Sequence, residues 1–497
     1  MNRLARRLTL AELASCIGVC AWRVNNRNVD ERMRAWLGLL LAVIVAWPAQ
    51  ARVVEPFDPW QRNSQWQFRD LASIRQSGEL RVLVNQSRNS SGKVRGQTIG
   101  VESQRAEAFV AFLNSGQPAH KQVRLRLIPL PKDELVKALQ QHRGDLLAPG
   151  ELMDLRKLPD ELRPSRPYKI QVPMVLVSHY TTRRYQRLEQ LAGKVMTLPR
   201  GSVAVAGVER LNRSLQEQGL DPVLLDQADP SLAVEDVLEL VHAGILAHTW
   251  VEQPIAERWQ GVLKKLRIDT GLSLPGTHNM VWITPDSATA LQGQIDRFLR
   301  DYQPSAQQDA AFKQVYQRLY RVHYPLGRND RARLAKVQPA LQAAEKATGI
   351  DWLALAAVAY KESSLNPAAR GQGGATGLMQ VTPAAARAVG VGDYASAQGS
   401  ALAGAKYLAK LRKEFFQSSK IPEHERLAFM LAAYNMGPHR LQGLRAEARR
   451  RGLNPDRWFF HVERVAMEQL GMGNVSYVSS VNKYFITFDR ERDLLER

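Results

Sequence analysis

At 497 residues the chain exceeds what a single hydrophobic core supports, so two or more domains are expected. With 45% apolar and 23% charged residues and no low-complexity tract, it is not a disordered or fibrous chain. A formal charge of +20 points to an anionic surface as its place of work. The arginines are scattered rather than gathered into a stripe, which argues against nucleic acid as the partner.

Met33-Arg34, an apolar run over 35–47 and Pro48-Ala49-Gln50-Ala51 have the layout of a secretory leader cleaved after Ala51. The apolar run falls short of the roughly 20 residues that span a bilayer. The polar stretch 1–32 ahead of it leaves Met33 as an alternative start, and Leu13-Ala14-Ser15-Cys16 as an alternative lipoprotein site. Both cysteines, Cys16 and Cys20, precede the cleavage point. The exported chain is therefore expected to lack disulfides, thiolate metal sites and cysteine nucleophiles. It keeps 61 basic against 45 acidic residues, a charge of +16.

After a linker over 52–76 that carries Trp60 and Trp66, a strand is expected at 80–84 and a helix at 102–114. A half-exposed strand follows at 123–130, then a helix at 132–142 and a short buried strand at 145–148. The pattern restarts with strands at 194–198, 223–225 and 245–250, separated by helices opened by Gly201-Ser202 and Ser231. A return passage at 279–284 and helices at 288–300 and 307–321 lead back to the first lobe. A linker is read at 325–330, in Tyr324-Pro325-Leu326-Gly327-Arg328-Asn329-Asp330. From 331 to 497 the spacing is helical, with helices at 334–348, 351–363, 383–389, 400–415 and 422–435 and another around Tyr477 to Tyr484.

In the helical part Asp351 is placed to cap a helix whose apolar residues Leu353, Leu355, Ala356, Val358 and Ala359 bury it. Asn366-Pro367 stops that helix and leaves Glu362 in its last turn. Burial and the helix C-terminus both raise a carboxyl pKa there, as a general acid requires. The other acids before Tyr434, namely Asp393, Glu414, Glu423 and Glu425, stand in no motif.

Three blocks in order carry a resemblance: Lys361-Glu362-Ser363-Ser364-Leu365-Asn366-Pro367, then Gly374-Ala375-Thr376-Gly377-Leu378-Met379-Gln380, then Ala433-Tyr434-Asn435-Met436-Gly437. They resemble the signature of the family 1 lytic transglycosylases, which have a goose-lysozyme-like fold and cut peptidoglycan. The resemblance implies an all-α lysozyme-like domain with Glu362 as sole acid and base. It also implies substrate contacts from Gly371, Met379, Gln380, Tyr434 and Asn435, and no cofactor. The chain departs from the family at Gly371, where a Ser is usual and Gln372 is the neighbouring substitute. It departs again at Gly473, where many members have a Glu that Glu468 is the nearest to replace. A goose-type hydrolase and a decayed peptidoglycan or ligand sensor are the alternatives.

The element order over 77–324, with Leu80-Arg81-Val82-Leu83-Val84 opening and Gly100-Val101-Glu102 starting a helix, resembles the periplasmic solute-binding fold of the polar amino-acid-binding family. That resemblance implies a two-lobed α/β module, Arg156 for a ligand carboxylate, and the ammonium-binding position at His248. An amino acid or a muropeptide is the ligand expected there. Such a module ahead of a transglycosylase domain is the layout of the F-type subgroup of membrane-bound murein transglycosylases. Arg451-Gly452-Leu453-Asn454-Pro455-Asp456-Arg457-Trp458 and Tyr484 resemble that subgroup too. Its members' partners are peptidoglycan glycan strands and the anionic envelope surface, and the implied location is periplasmic, peripheral to the outer membrane. Neither His439 nor His461 has a partner at ligand spacing, so no metal is expected.

Overall fold

The computed structural model describes residues 68–497 except 318 and 320, and of 306 and 308 only the backbone. The leader, its cleavage point, both cysteines, Trp60 and Trp66 lie outside the described residues. Among these, no helix is long and apolar enough to cross a membrane.

Lobe 1 is built on a five-stranded sheet. Its strands are β1 (Glu79–Asn85), β2 (Arg124–Leu130), β3 (Leu146–Ala148), β4 (Leu162–Pro164) and β12 (Ile283–Pro285), in the order β2-β1-β3-β12-β4. β1 runs parallel to β2 and β3, and β12 is antiparallel to β3 and β4. The inner strand β1 is buried on both faces, as its apolar Leu80, Val82, Leu83 and Val84 require, and the one charge among them, Arg81, pairs with Asp145 at 2.6 Å. β2 is an edge strand, and Arg124 and Arg126 keep its outer face charged and solvated. Helix α1 (Val101–Asn114) packs Ala106, Phe109, Val110 and Leu113 onto one face, where Trp282 and Phe298 join them.

Lobe 2 has an antiparallel sheet ordered β9-β6-β10 from β6 (Met174–His179), β9 (His248–Glu252) and β10 (Leu266–Asp269), beside the parallel pair β7 (Val195–Leu198) and β8 (Leu224–Gln227). Helices α2 (Ala204–Glu217), α3 (Val234–His242) and α4 (Gln253–Gln260) cover it. The chain enters lobe 2 along β5 (Lys169–Val172) and returns along β11 (His278–Met280). The two form an antiparallel ribbon with His278 opposite Val172 and Met280 opposite Lys169. Helices α5 (Thr289–Asp301) and α6 (Ala306–Gln317) complete the module.

Strands β4, β5, β6 and β10 and helix α4 are absent from the sequence reading. Around β4, β5 and β6, Pro164, Pro167 and Pro173 cut the chain into runs of three to six residues, too short for a period to show, and β10 is itself only four residues long. The strand expected at 245–250 lies at 248–252, because Gly244 takes a left-handed turn (φ +77°) and 245–247 complete the loop after α3.

Helix α7 (Arg328–Thr348) opens the helical part, beginning within the stretch read as a linker. Then come α8 (Trp352–Ser363), α9 (Ala397–Phe415), α10 (Glu423–Met436), α11 (Pro438–Arg450), α12 (Glu463–Leu470) and α13 (Met472–Arg490). Helix α8 is the hub: every residue from Trp352 to Tyr360 is buried. One hydrophobic core runs without a break from lobe 2, through Val237, Val241 and Trp259, into Leu353, Val358, Phe429 and Val478 of the helical part.

Buried charges tie the parts together. Arg88 of lobe 1 meets Asp236 of lobe 2 at 2.6 Å and Glu463 of α12 at 3.2 Å. Lys483 of α13 reaches Asp236 at 2.7 Å and also Glu239.

Candidate active site

Asp351 accepts a hydrogen bond from the Leu353 amide at 2.7 Å and caps α8. The helix ends at Ser364 and Leu365, both in left-handed backbone (φ +53° and +62°), so the chain turns sharply before Asn366-Pro367. Glu362 lies in that last turn, half-buried between the packed wall and the surface. Burial pushes its carboxyl above the ordinary value of 4.5, against two opposing influences. Tyr477 of α13 donates its hydroxyl to Glu362 Oε1 at 2.6 Å, and the Lys361 ammonium lies near.

The three sequence blocks meet at residues 378–379. Ser363 of α8 donates to the Leu378 carbonyl at 2.7 Å, and Tyr434 of α10 donates to the Met379 carbonyl at 2.7 Å. The Met379 amide donates to Ser400 Oγ of α9 at 3.1 Å. Gly377 is required beside this knot: its φ is +79°, and a Cβ there would stand 2.6 Å from Ser400 Oγ. The motif residues thus bind three helices to one loop and fix the floor in front of Glu362. Tyr434 is close enough to Glu362 for that carboxylate, together with burial, to raise the phenol's pKa.

Several expected contacts take other roles. Met379 is fully buried with its sulfur against Gly404 of α9, so its side chain fills core and only its backbone serves the site. Gln380 spends its amide nitrogen on the carbonyls of Ala369 at 3.1 Å and Gly377 at 2.9 Å. Its Oε1 stands 2.1 Å from where a Cβ on Gly371 would be. Gly371 is thereby explained, since the space a Ser side chain would enter is occupied by Gln380. Gln372 is exposed on a short turn (Gln372–Gly374), and Asn435 is exposed at the last turn of α10.

Glu468 does not replace the acid missing at Gly473, because it pairs with Arg451 at 2.7 Å. The other acids of the region are also engaged. Asp393 accepts from the Ser396 amide, Glu414 pairs with Lys410, Glu423 pairs with Arg412 and Arg426, and Glu425 accepts from the amides of Trp458 and Phe459. Tyr477, Ser363 and Ser400 escaped the sequence reading as site residues. For Tyr477 a signal existed: it lies seven residues before Tyr484, and the two share the buried face of α13.

In the front module Arg156 is exposed and clasps its own neighbour Asp154, with Nε at 2.9 Å and Nη2 at 3.1 Å from the two carboxylate oxygens. His248 is a core residue. Its Nδ1 lies 3.0 Å from Ser178 Oγ, its ring packs on Tyr185, and burial lowers its pKa to about 4. The acid at the carboxyl end of that strand is Glu252, four residues on. Among the described residues, no cluster of His, Cys, Asp and Glu is arranged to hold a metal.

Fold and site together define a two-lobed α/β module fused to a C-terminal transglycosylase SLT domain, whose family model matches residues 339–455. Over most of its length the chain is similar to proteins called membrane-bound lytic murein transglycosylase F. It is 27% identical to the one from Desulfosudis oleivorans over 427 residues, 84% of this chain and 88% of that protein. Against the one from Pseudomonas putida F1 the identity is 27% over 399 residues, 78% and 77% of the two chains. Among solved structures, an amino acid ABC transporter substrate-binding protein from Streptococcus pneumoniae bound to L-arginine matches half of this chain and 98% of its own, at 17% identity and a TM-score of 0.38. The P235GK mutant of ArgBP from T. maritima matches 49% and 97%, at 17% identity and a TM-score of 0.39.

Proposed function

We propose that the chain cleaves the β-1,4 bond between N-acetylmuramic acid and N-acetylglucosamine in peptidoglycan without adding water, with Glu362 as both acid and base. The observation that carries this reading is a single carboxyl, kept protonatable by burial and steadied by Tyr477, while the neighbouring acids are engaged elsewhere. A hydrolase working with two carboxylates would need a second one facing the sugar.

Protonated Glu362 donates to the glycosidic oxygen as the bond to the anomeric carbon breaks and positive charge develops on the muramoyl ring. The resulting carboxylate then takes the proton of the same sugar's 6-hydroxyl, whose oxygen closes on the anomeric carbon. The products are a 1,6-anhydromuramoyl end and a free 4-hydroxyl on the leaving chain. Glu362 ends protonated, ready for the next cycle. Tyr434 and Asn435, at the end of α10, face the sugar over a floor that the buried knot at 378–379 supports. Location in the periplasm, at the face of an anionic envelope membrane, fits the charge of +16 that the exported chain keeps.

Digestion of purified peptidoglycan by the parent chain and by Glu362→Gln, with mass analysis of the released fragments, tests the reading. Parent products about 18 Da lighter than hydrolytic ones, the mass of one water, and absent with the variant, are expected. Full-mass reducing ends from the parent chain would replace the reading with a hydrolase, and intact peptidoglycan with a binding role.

A further inference from the structure

The cleft between the two lobes holds a buried charge that belongs to neither sheet. Lys132 follows the carboxyl end of β2 in lobe 1 and is 7% exposed. Its Nζ lies 3.0 Å from Glu151 Oε2 of lobe 1 and 3.8 Å from Glu252 Oε1 at the end of β9 in lobe 2. Both carboxylates are held in place independently of the lysine. Asn85 donates to Glu151 Oε1 at 2.6 Å, and the Leu152 amide of lobe 1 donates across the cleft to Glu252 Oε1 at 3.0 Å.

The stem of Lys132 also lies close to lobe 2. Gly201 of lobe 2, with φ +69°, stands so that a Cβ there would touch the lysine Cβ and Cγ at 3.4 Å. At the rim Arg200 of lobe 2 pairs with Asp133 of lobe 1 at 3.2 Å. A cavity of about 330 Å³ remains beside the lysine, walled by Asn85, Arg200 and Ser231 and, from the helical domain, Arg457 and His461.

Two acids on opposite lobes, buried and face to face, repel each other unless a cation stands between them. A bilobed binder draws such a cation from its ligand and closes upon it. Here the chain supplies its own. We propose that Lys132 is a resident occupant of the cleft: its ammonium fills the cation position between Glu151 and Glu252, holds the lobes together without a ligand, and bars free amino acids and other primary ammonium ligands from that position. Burial pushes the Glu151 carboxyl up to about 7, as expected of a cluster with two acids and one built-in cation.

The test removes the occupant and offers its head group back. In Lys132→Ala the lost atoms are those of n-propylammonium. The melting temperature of the full-length variant should fall below the parent's. It should then rise saturably with n-propylammonium chloride, by at least about 2 °C more than with n-propanol and sodium chloride at the same concentration. The parent should show no such difference. Equal responses of variant and parent to the amine would overturn the proposal, as would a thermal shift of the parent by free L-amino acids.

If Lys132→Ala does not fold, Glu252→Gln serves, because it leaves the lysine with its lobe 1 partner and loosens the grip of lobe 2. Small-angle scattering should show a larger radius of gyration than for the ligand-free parent. An unchanged radius would mean that the lysine does not hold the lobes together.

Discussion

In the proposed reaction Glu362 must be an acid first and a base second, and its surroundings pull its proton affinity both ways. Burial raises the pKa, while the Tyr477 hydroxyl and the Lys361 ammonium stabilise the carboxylate. Tyr477→Phe removes one of the two restraints. The alkaline limb of its pH–rate profile should therefore move to higher pH, as measured by fragment release at a series of pH values. A limb that stays in place would show that the hydrogen bond does not act on the proton.

Glu362→Gln should lower activity by about 10³-fold or more and should also change the pH dependence of stability. A carboxyl whose folded pKa lies above its unfolded 4.5 stabilises the fold only while protonated, and that stability is lost as pH rises through the folded value. The variant's melting temperature relative to the parent should then increase with pH from about 4.5 upward and level off once the parent's carboxyl is ionised. At this scale the sequence located the carboxyl in the last turn of α8 but not its partner Tyr477. A carboxyl in a helix's last turn before Asn366-Pro367 is a local feature, whereas Tyr477 meets it only through the packing of α13 on α8, 115 residues away in the chain.

The loop over 366–381 joins helices α8, α9 and α10. Two of its four glycines are demanded by packing, Gly377 against Ser400 and Gly371 against the Gln380 side chain. Gly371→Ser should force Gln380 out of its place and cost about 1–3 kcal/mol in chemical denaturation. The same change made together with Gln380→Ala should cost clearly less. Additive costs would separate the two positions. Loop geometry of this kind is not legible in spacing: Gln380 belongs to a recognised block, but its turn inward onto Ala369 and Gly377 follows from its left-handed backbone (φ +49°) and from the absence of a side chain at 371. Met379 is a similar case, since whether a thioether faces a cleft or the groove over Gly404 is settled by the approach of α9.

Across the whole molecule the front module and the helical domain share both a hydrophobic core and a buried ion cluster. Lys483 is 2% exposed and neutralises Asp236 and Glu239 of lobe 2 from the helix that also carries Tyr477. Lys483→Met leaves Asp236 with Arg88 and Glu239 with the Val322 amide, and should cost about 3–5 kcal/mol. Because the core is continuous, calorimetry should show lobe 2 and the helical domain melting in one transition, in the parent and in this variant. Two separated transitions would show that the junction does not couple them. The two-lobed order was readable from alternating strands and helices around Val82 and Trp250. The junction was not, since Arg88, Glu235 and Lys483 look like ordinary surface charges until the chain is folded.

In the proposed reaction the sugar's own 6-hydroxyl, and not water, closes on the anomeric carbon at Glu362. Digestion of peptidoglycan in water enriched in heavy oxygen reads this directly by the mass of the new muramoyl ends. Ends that carry no heavy oxygen and are lost in Glu362→Gln are expected. Heavy oxygen in those ends would contradict that reaction and make the enzyme a hydrolase.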